Sequence, residues 1–225
     1  MVSMSVPTSS TKAEIIRAAE RLFAQHGIDG VSLRQIGAEA GNGNKSAVQY
    51  HFGTKERLLQ AICEHRLPDI HERRRILVAQ HRPRDLRTWV ECYVLPLLEQ
   101  GEREGSRYLT FLTMLRHHNR QDVFERLPEE FRASTHEFGE RVAALLPHLP
   151  EPLRLHRIGQ VVSFGVDAAS DRERAQVNGY PVVPFALHVA DLLDGLIGFL
   201  QAPASPAALA ALEDAPPVTT WPPYL

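Results

Sequence analysis

Five polar side chains lie within one short segment that follows a Gly-rich turn: Asn44, Lys45, Ser46, Gln49 and Tyr50. Asn and Gln amides can form two hydrogen bonds with the edge of an adenine, and a Lys ammonium can reach a guanine. Ser and Tyr hydroxyls can bond phosphate oxygens, which fixes a position along a nucleic acid without reading its sequence. These residue types therefore indicate hydrogen bonding to a nucleic acid rather than bond-making chemistry.

Two short helices joined by a turn are predicted to position this segment. Ser32 is expected to cap the first of them, which ends at Gly41. Residues 42–44, Asn-Gly-Asn, are typical of a turn, and a helix is predicted over residues 45–51. This is the layout of a helix-turn-helix, which presents one helix to the major groove of DNA.

Helices are also predicted on both sides of this unit. Thr11 and Glu14 have the spacing of a capping box at the start of an earlier helix, which Gly27 would end. Thr54 is expected to cap a later helix, with Lys55 beside it. Free backbone N–H groups at a helix N-terminus favour a phosphate, so Ser32, Thr54 and Lys55 are added to the candidate contacts.

The charge of the chain is unevenly divided. The whole chain carries 25 Lys and Arg against 27 Asp and Glu, and this net charge of −2 alone disfavours a nucleic-acid binder. Residues 1–85 have 13 Lys and Arg against 9 Asp and Glu, a net of +4, while residues 86–225 have 12 against 18, a net of −6. A basic N-terminal part suits contact with phosphates at one end. Part of this excess lies in residues 73–75, three arginines that could equally form a solvated helix face.

Length and composition are those of a globular protein. A hydrophobic content of 44% over 225 residues suffices for a core in one large or two modest domains. Cys63 and Cys92 lie in apolar-patterned segments, so each is predicted to be a buried, reduced thiol. The chain shows neither a signal-peptide core nor an apolar run of about 18 residues, so we expect a cytoplasmic protein without a membrane partner.

No motif for catalysis or metal binding is present. The 11 histidines show no metal-ligand spacing, and the sequence has no Gly-rich phosphate loop, GxSxG or HExxH. We therefore expect no catalytic residue, no metal and no cofactor.

The remainder of the chain also reads as helix, without the alternating pattern of strands. Amphipathic segments are expected near 86–103, 106–119, 129–146, 152–174 and 183–201. Pro68 lies inside the long fourth helical pattern, where a kink or a break is expected. The tail from Ala202 is rich in Pro and Ala and is predicted to be extended or disordered.

Residues 11–67 resemble the DNA-binding domain of the TetR (tetracycline-repressor-like) family. The matching stretches are AAERLFAQHGIDGVSLRQIGAEAG and YHFGTKERLLQAI. The turn here has one residue more than the family pattern, so the recognition helix is matched by counting back from Phe52. That places Gln49, Tyr50 and His51 at the DNA-facing positions, with Gln49 where a phosphate-contacting Tyr usually stands. The full candidate set for DNA contact is Ser32, Asn44, Lys45, Ser46, Gln49, Tyr50, His51, Thr54 and Lys55.

The resemblance implies an all-α homodimer with an N-terminal helix-turn-helix domain, joined by a long helix to a C-terminal bundle for effector binding and dimerisation. The expected organisation is an arm (1–10), a DNA-binding domain (11–55), the C-terminal domain (56–201) and a tail (202–225). The dimer interface is expected at Ile158, Val161, Val162, Gly165, Val189, Leu192, Leu193, Leu196 and Phe199. Large apolar candidates for a small-molecule pocket are Trp89, Tyr93, Phe111, Met114, Leu115, Phe138 and Phe164.

These observations favour a ligand-responsive transcriptional regulator, most simply a repressor, whose partners are double-stranded DNA, a second copy of itself and an unidentified small-molecule effector. A small helical enzyme is one alternative, but it would need converging acid, base or nucleophile groups. An interaction protein that does not bind DNA is another, and the intact polar face over residues 44–50 argues against it.

Overall fold

The described part of the chain consists of helices and their connections. The computed structural model describes residues 8–41, 47–118, 120 and 122–213, and no strand occurs among them. The N-terminal helices are α1 (Thr8–His26), α2 (Leu33–Glu39), α3 (Ala47–Phe52) and α4 (Lys55–His81). The helices that follow are α5 (Leu86–Gly101), α6 (Tyr108–His117), α7 (Asp122–Glu125), α8 (Glu129–Ala144), α9 (Glu151–Val177), α10 (Phe185–Gln201) and α11 (Pro206–Glu213). The predicted all-α fold is confirmed.

The first three helices form a small bundle against the start of α4. Helix α1 packs on α2 and α4, and α2 packs on α3. Ile15, Phe23 and Ile36 are fully buried at the centre of this bundle. Gly27 ends α1 with a φ of +76°, as the sequence predicts. The predicted cap at Thr11 is wrong, because α1 already begins at Thr8 and Thr11 therefore lies inside the helix.

Helix α4 runs for 27 residues and connects the two parts of the chain. Pro68 lies inside it, and of the predicted kink or break, the break does not occur. Proline removes one backbone donor from a helix. Leu67 and Ile70, on either side, are nevertheless buried, so packing of the apolar face holds the helix together across this position.

Helix α5 is the central helix of the C-terminal part. It packs against α4, α6, α8, α9 and α10, while α6 packs against both α1 and α9. The C-terminal bundle therefore contacts the N-terminal bundle directly through α1 and α6. Both cysteines are buried and free, which confirms the predicted thiols.

The segment after Ala202 contains a short helix rather than only extended chain. Ser205 accepts a hydrogen bond from the Ala208 N–H at 3.2 Å, and Pro206 occupies the first helical position. A capping hydroxyl followed by Pro and an Ala-rich run is a favourable helix start. The prediction of an extended or disordered tail is wrong for 206–213, and residues 214–225 lie outside the described part.

Over the described residues, no single helix has the length and apolarity needed to span a membrane. Helices α10 and α11 reach that composition only when taken together, across a bend of 62°.

Candidate nucleic-acid interface and internal cavity

Helix α2 is held at its N-terminus by a reciprocal cap. The Ser32 hydroxyl accepts a hydrogen bond from the Gln35 N–H at 3.3 Å, and the Gln35 side-chain oxygen accepts one from the Ser32 N–H at 2.8 Å. The predicted cap at Ser32 is therefore confirmed, with Gln35 completing a capping box that was not expected from the sequence. Ser32 remains exposed at the start of the helix.

A glycine allows α2 and α3 to pack closely. A Cβ placed on Gly37 would lie only 3.3 Å from a methyl group of Val48, which is 1% exposed. A side chain at position 37 would therefore require the Val48 methyl group to give way by a few tenths of an ångström. The close approach fixes which side of α3 is buried and leaves its other side facing outward.

The outward side of α3 carries three of the predicted contact residues. Gln49 is exposed and Tyr50 is 83% exposed, which is unusual for so large a ring. His51 is half-buried and contacts the Tyr50 ring edge-on, with 5.2 Å between the ring centres. The structure thus brings Gln49, Tyr50 and His51 together in one turn. Asn44, Lys45 and Ser46 lie outside the described residues.

The start of α4 lies beside this face. Gly53 ends α3 with a φ of +69°, and the Thr54 hydroxyl accepts a hydrogen bond from the Arg57 N–H at 3.2 Å, as a helix cap should. The predicted cap at Thr54 is confirmed. Lys55 is half-buried, and its ammonium donates to the carbonyl oxygen of Ile28 at 2.9 Å. Lys55 therefore joins α4 to the loop before α2, a role that the sequence did not indicate.

Comparison with known proteins shows a similarity to one family of regulators over the N-terminal helices. Residues 15–62 match the family model described as "Bacterial regulatory proteins, tetR family". The chain is 38% identical over 64 residues to the HTH-type transcriptional repressor AcnR of Corynebacterium efficiens, and 41% identical over 57 residues to AcnR of Corynebacterium glutamicum. Over residues 15–62 the chain is therefore similar to regulators of the tetR family.

These sequence matches cover only a part of the chain and of each relative. They cover 27% and 25% of this chain, and 34% and 29% of the two relatives, so the chain matches about a third of each relative's length. Both relatives are named as HTH-type transcriptional repressors.

Solved structures extend the similarity of fold to most of the chain. A transcriptional regulator from Rhodococcus sp. Rha1 aligns with a TM-score of 0.56 at 20% identity, over 84% of this chain and 95% of that one. NalD, a secondary repressor of the MexAB-OprM multidrug efflux pump in Pseudomonas aeruginosa, aligns with a TM-score of 0.51 at 19% identity, over 85% and 96%. At these identities the comparison concerns the fold alone.

Most residues predicted for a dimer interface are instead buried within a single chain. The six residues concerned pack between α5, α9 and α10, and they are Ile158, Val161, Val162, Gly165, Leu193 and Leu196. Helix α5 packs against both α9 and α10 and so covers these apolar residues within one chain. Val189, Leu192 and Phe199 are half-buried against the same core.

An exposed apolar face nevertheless remains on α9 and α10. Phe164 is 44% exposed and contacts Phe199 edge-on at 5.3 Å, and Leu187 is 54% exposed. A Cβ built on Gly195 or Gly198 would meet nothing within 4 Å. Large exposed apolar side chains beside bare glycine backbone are typical of a helix surface that another helix covers.

A cavity of about 440 Å³ lies between α4, α5 and α8. Trp89, Tyr93 and Phe138 line it, as predicted for a pocket. The other predicted pocket residues do not: Phe111 and Leu115 are fully buried core, Met114 packs against that core, and Phe164 lies on the surface. The cavity has the size and the apolar walls of a small-molecule site.

The cavity wall also contains a residue that the sequence analysis placed elsewhere. Arg74 is 4% exposed, whereas Arg73 and Arg75 point outward and pair with Glu99 and Glu72. The interpretation of 73–75 as one solvated face is therefore wrong for Arg74. Helical spacing could have revealed it, because position 74 falls on the same face as buried Ile70 and Leu77.

No cluster of three or more His, Cys, Asp or Glu side chains able to hold a metal ion occurs within residues 8–41, 47–118, 120 and 122–213.

Proposed function

We propose that this chain is a ligand-responsive transcriptional repressor that binds a near-palindromic operator as a homodimer and is released by a small-molecule effector. The observation that carries this proposal is the outward side of α3, where Gln49 and Tyr50 are exposed on a helix held in place by Gly37 and Val48. Residues 15–62, which include α3, match the tetR family model, and relatives of the chain are named as transcriptional repressors.

Direct reading of DNA by α3 follows from its side chains. A Gln amide can pair with an adenine edge at two points, and the exposed Tyr50 and half-buried His51 can hydrogen-bond phosphates on either side. A single helix-turn-helix covers one half-site, so useful affinity requires two of them at a fixed separation of about 34–36 Å or a multiple of it. The exposed face of α9 and α10 around Phe164 and Leu187 is our candidate for the surface that joins two chains.

Contacts between the two bundles offer a route from effector to DNA. Glu20 on α1 accepts hydrogen bonds from Arg66 on α4 and from the Arg107 N–H at the start of α6. Gln60 on α4 donates to the carbonyl oxygen of Arg126, just after α7. A ligand that shifts α4 or α6 would therefore move α1, and through it the spacing of the two recognition helices.

Selection of bound fragments from a genomic DNA pool tests the proposal. We expect enriched fragments to share a near-palindrome, and Gln49→Ala to relax the preference at one base position in each half by about 1–3 kcal/mol. Gln35→Ala is the matched control outside α3, since it alters the cap of α2 and not the reading face.

Two results would contradict the proposal. If the selected DNA fragments share no sequence, the chain binds DNA only non-specifically. Absence of any shift with genomic DNA in a mobility assay would favour an interaction protein that no longer binds DNA.

A further inference from the structure

Arg74 is a buried cation without an acidic partner. Its Nε donates to the Tyr93 carbonyl oxygen at 3.1 Å, while Nη1 and Nη2 have no hydrogen-bond partner among the described residues. The neighbouring arginines show the contrast, because Arg73 pairs with Glu99 and Arg75 with Glu72, both at 3.0 Å. Arg74 is one of the residues that line the cavity between α4, α5 and α8, and its two unpartnered nitrogens are themselves buried.

Aromatic stacking fixes the plane of this guanidinium. Its central carbon lies 3.7 Å from the centre of the Tyr93 ring, and the Phe138 ring stacks on Tyr93 at 3.8 Å with an angle of 13° between the planes. Two groups that close to one ring centre must lie on opposite faces of it. The stack of Arg74, Tyr93 and Phe138 holds the guanidinium rigidly, so little freedom is lost when a ligand binds to it.

Among the described residues, no carboxylate compensates for the charge of Arg74. Burial lowers the pKa of Arg74, and the groups that raise it again are Tyr93 and Tyr108, not a carboxylate. A guanidinium stays protonated in a protein, so the charge itself persists and is costly without a partner. Burial, with a contribution from Arg74, also lowers the pKa of nearby His71 to about 3, so His71 adds no second positive charge.

We propose that the cavity binds a small monocarboxylate with an aromatic or aliphatic body, and that Arg74 donates to its carboxylate through Nη1 and Nη2. This inference rests on the proposed function, in which the same cavity holds the effector. A planar fork of two N–H donors matches a carboxylate, and a single buried cation suits one negative charge. Trp89, Tyr93 and Phe138 provide apolar walls for the rest of the molecule, and a volume of about 440 Å³ suits a compact acid.

Matched pairs of ligands test the charge requirement. Benzoate, phenylacetate, indole-3-acetate and octanoate would be titrated calorimetrically into the full chain beside the corresponding neutral amides. We expect at least one acid to bind roughly 10- to 100-fold more tightly than its amide, the advantage of a hydrogen bond to a charged group. If no acid binds better than its amide, the proposal is overturned.

Arg74→Met tests the residue, and Arg75→Met is its matched control on the exposed rim of the same cavity. We expect Arg74→Met to remove the advantage of the acid over its amide and Arg75→Met to keep it. Because Met replaces an unpaired buried charge with an apolar chain of similar length, we also expect the ligand-free Arg74→Met protein to melt at the same or a higher temperature. Full retention of acid binding in Arg74→Met would overturn the proposal, and so would a large fall in its melting temperature, which would make the guanidinium a structural group.

DNA binding provides the separate readout for the proposed function. Ligand-free Arg74→Met should shift operator DNA as the unaltered protein does, and only the unaltered protein should release it when the acid is added. If the unaltered protein does not bind operator DNA, the proposed function is contradicted, but the proposal of a carboxylate site is not. A third result is that acids bind only when Arg74 is present but do not release the operator. That result would support the carboxylate site and contradict its role as the effector site.

Discussion

Glu20 and Arg66 form a two-point salt bridge that joins α1 to α4 inside the protein. Both N–O distances are 2.8 Å, and the two side chains are 2% and 14% exposed. The same carboxylate also accepts the Arg107 N–H at 3.1 Å, so it links the DNA-binding bundle, the connecting helix and the start of α6. Because the Glu20 carboxylate is buried and bonded to both neighbours, the position of α1 depends on the positions of α4 and α6.

Removal of one partner from this bridge should cost much more than removal of a surface pair. Arg66→Met leaves the Glu20 carboxylate buried with one backbone donor, and we expect the free energy of unfolding to fall by about 3–5 kcal/mol. Arg21→Met is the control, since the Arg21–Glu39 pair is 38% and 48% exposed and should contribute about 0–1 kcal/mol. Urea unfolding of both variants measures the difference, and equal losses would show that the buried bridge adds nothing special.

A second variant separates stability from signal transfer. Glu20→Leu combined with Arg66→Met removes both charges, so we expect part of the lost stability to return. Operator binding should then persist while its response to the effector weakens, because α1, α4 and α6 no longer share a bond. A double variant with full effector release would exclude this bridge from the response.

Lys55 supports the fold through Ile28, and its substitution should reveal whether it also contacts DNA. A residue that neutralises a phosphate changes the slope of log K against log salt by about 0.9, whereas a purely structural residue lowers affinity and leaves the slope unchanged. Because the Lys55 ammonium already donates to the Ile28 carbonyl oxygen, we expect Lys55→Met to weaken operator binding with an unchanged slope. Fluorescence anisotropy at several salt concentrations measures both quantities. A flatter slope would restore the phosphate contact predicted from the sequence.

Charges on the two sides of α9 and α10 should have different effects. Phe164 is 44% exposed, so we expect Phe164→Glu to leave the chain folded and to weaken self-association and operator binding together. Leu196 is 3% exposed, so Leu196→Glu should unfold the C-terminal bundle instead. Sedimentation and circular dichroism at micromolar concentration distinguish the two results. A dimer that tolerates Phe164→Glu would place the interface on another surface.

His71 should make the protein less stable in mild acid. Burial lowers its pKa in the folded chain to about 3, below the ordinary value of 6.5, so the unfolded chain binds a proton that the folded chain does not. Stability from this group is complete above about pH 6.5 and is lost as the pH falls toward 3, by at most about 1.4 kcal/mol per pH unit. His71→Gln should remove this part of the pH dependence, while His136→Gln, at an exposed position, should not. Urea unfolding between pH 7 and pH 5 compares the three proteins, and identical profiles would show that His71 does not titrate in this way.

Local chemistry determined much of the DNA-binding domain from the sequence alone. The helix ends at Ser32, Gly27 and Thr54 depend on hydrogen bonds or backbone conformations within a few residues of each position. The local sequence therefore contains every group that these helix ends require. The outward placement of Gln49 and Tyr50 also follows from helical spacing around buried Val48.

Long-range packing decided what the sequence could not. In the sequence, Leu193 and Leu196 belong to an apolar stripe, and only the structure shows that they are buried within the chain. Arg74 has the same residue type as its two neighbours, but the fold buries it beside Tyr93. The Glu20–Arg66 bridge joins residues 46 positions apart, and no local pattern specifies that pairing. Burial and charge pairing depend on which elements meet in space, so the tertiary structure alone determined the cavity, its unpaired cation and the exposed face of α9 and α10.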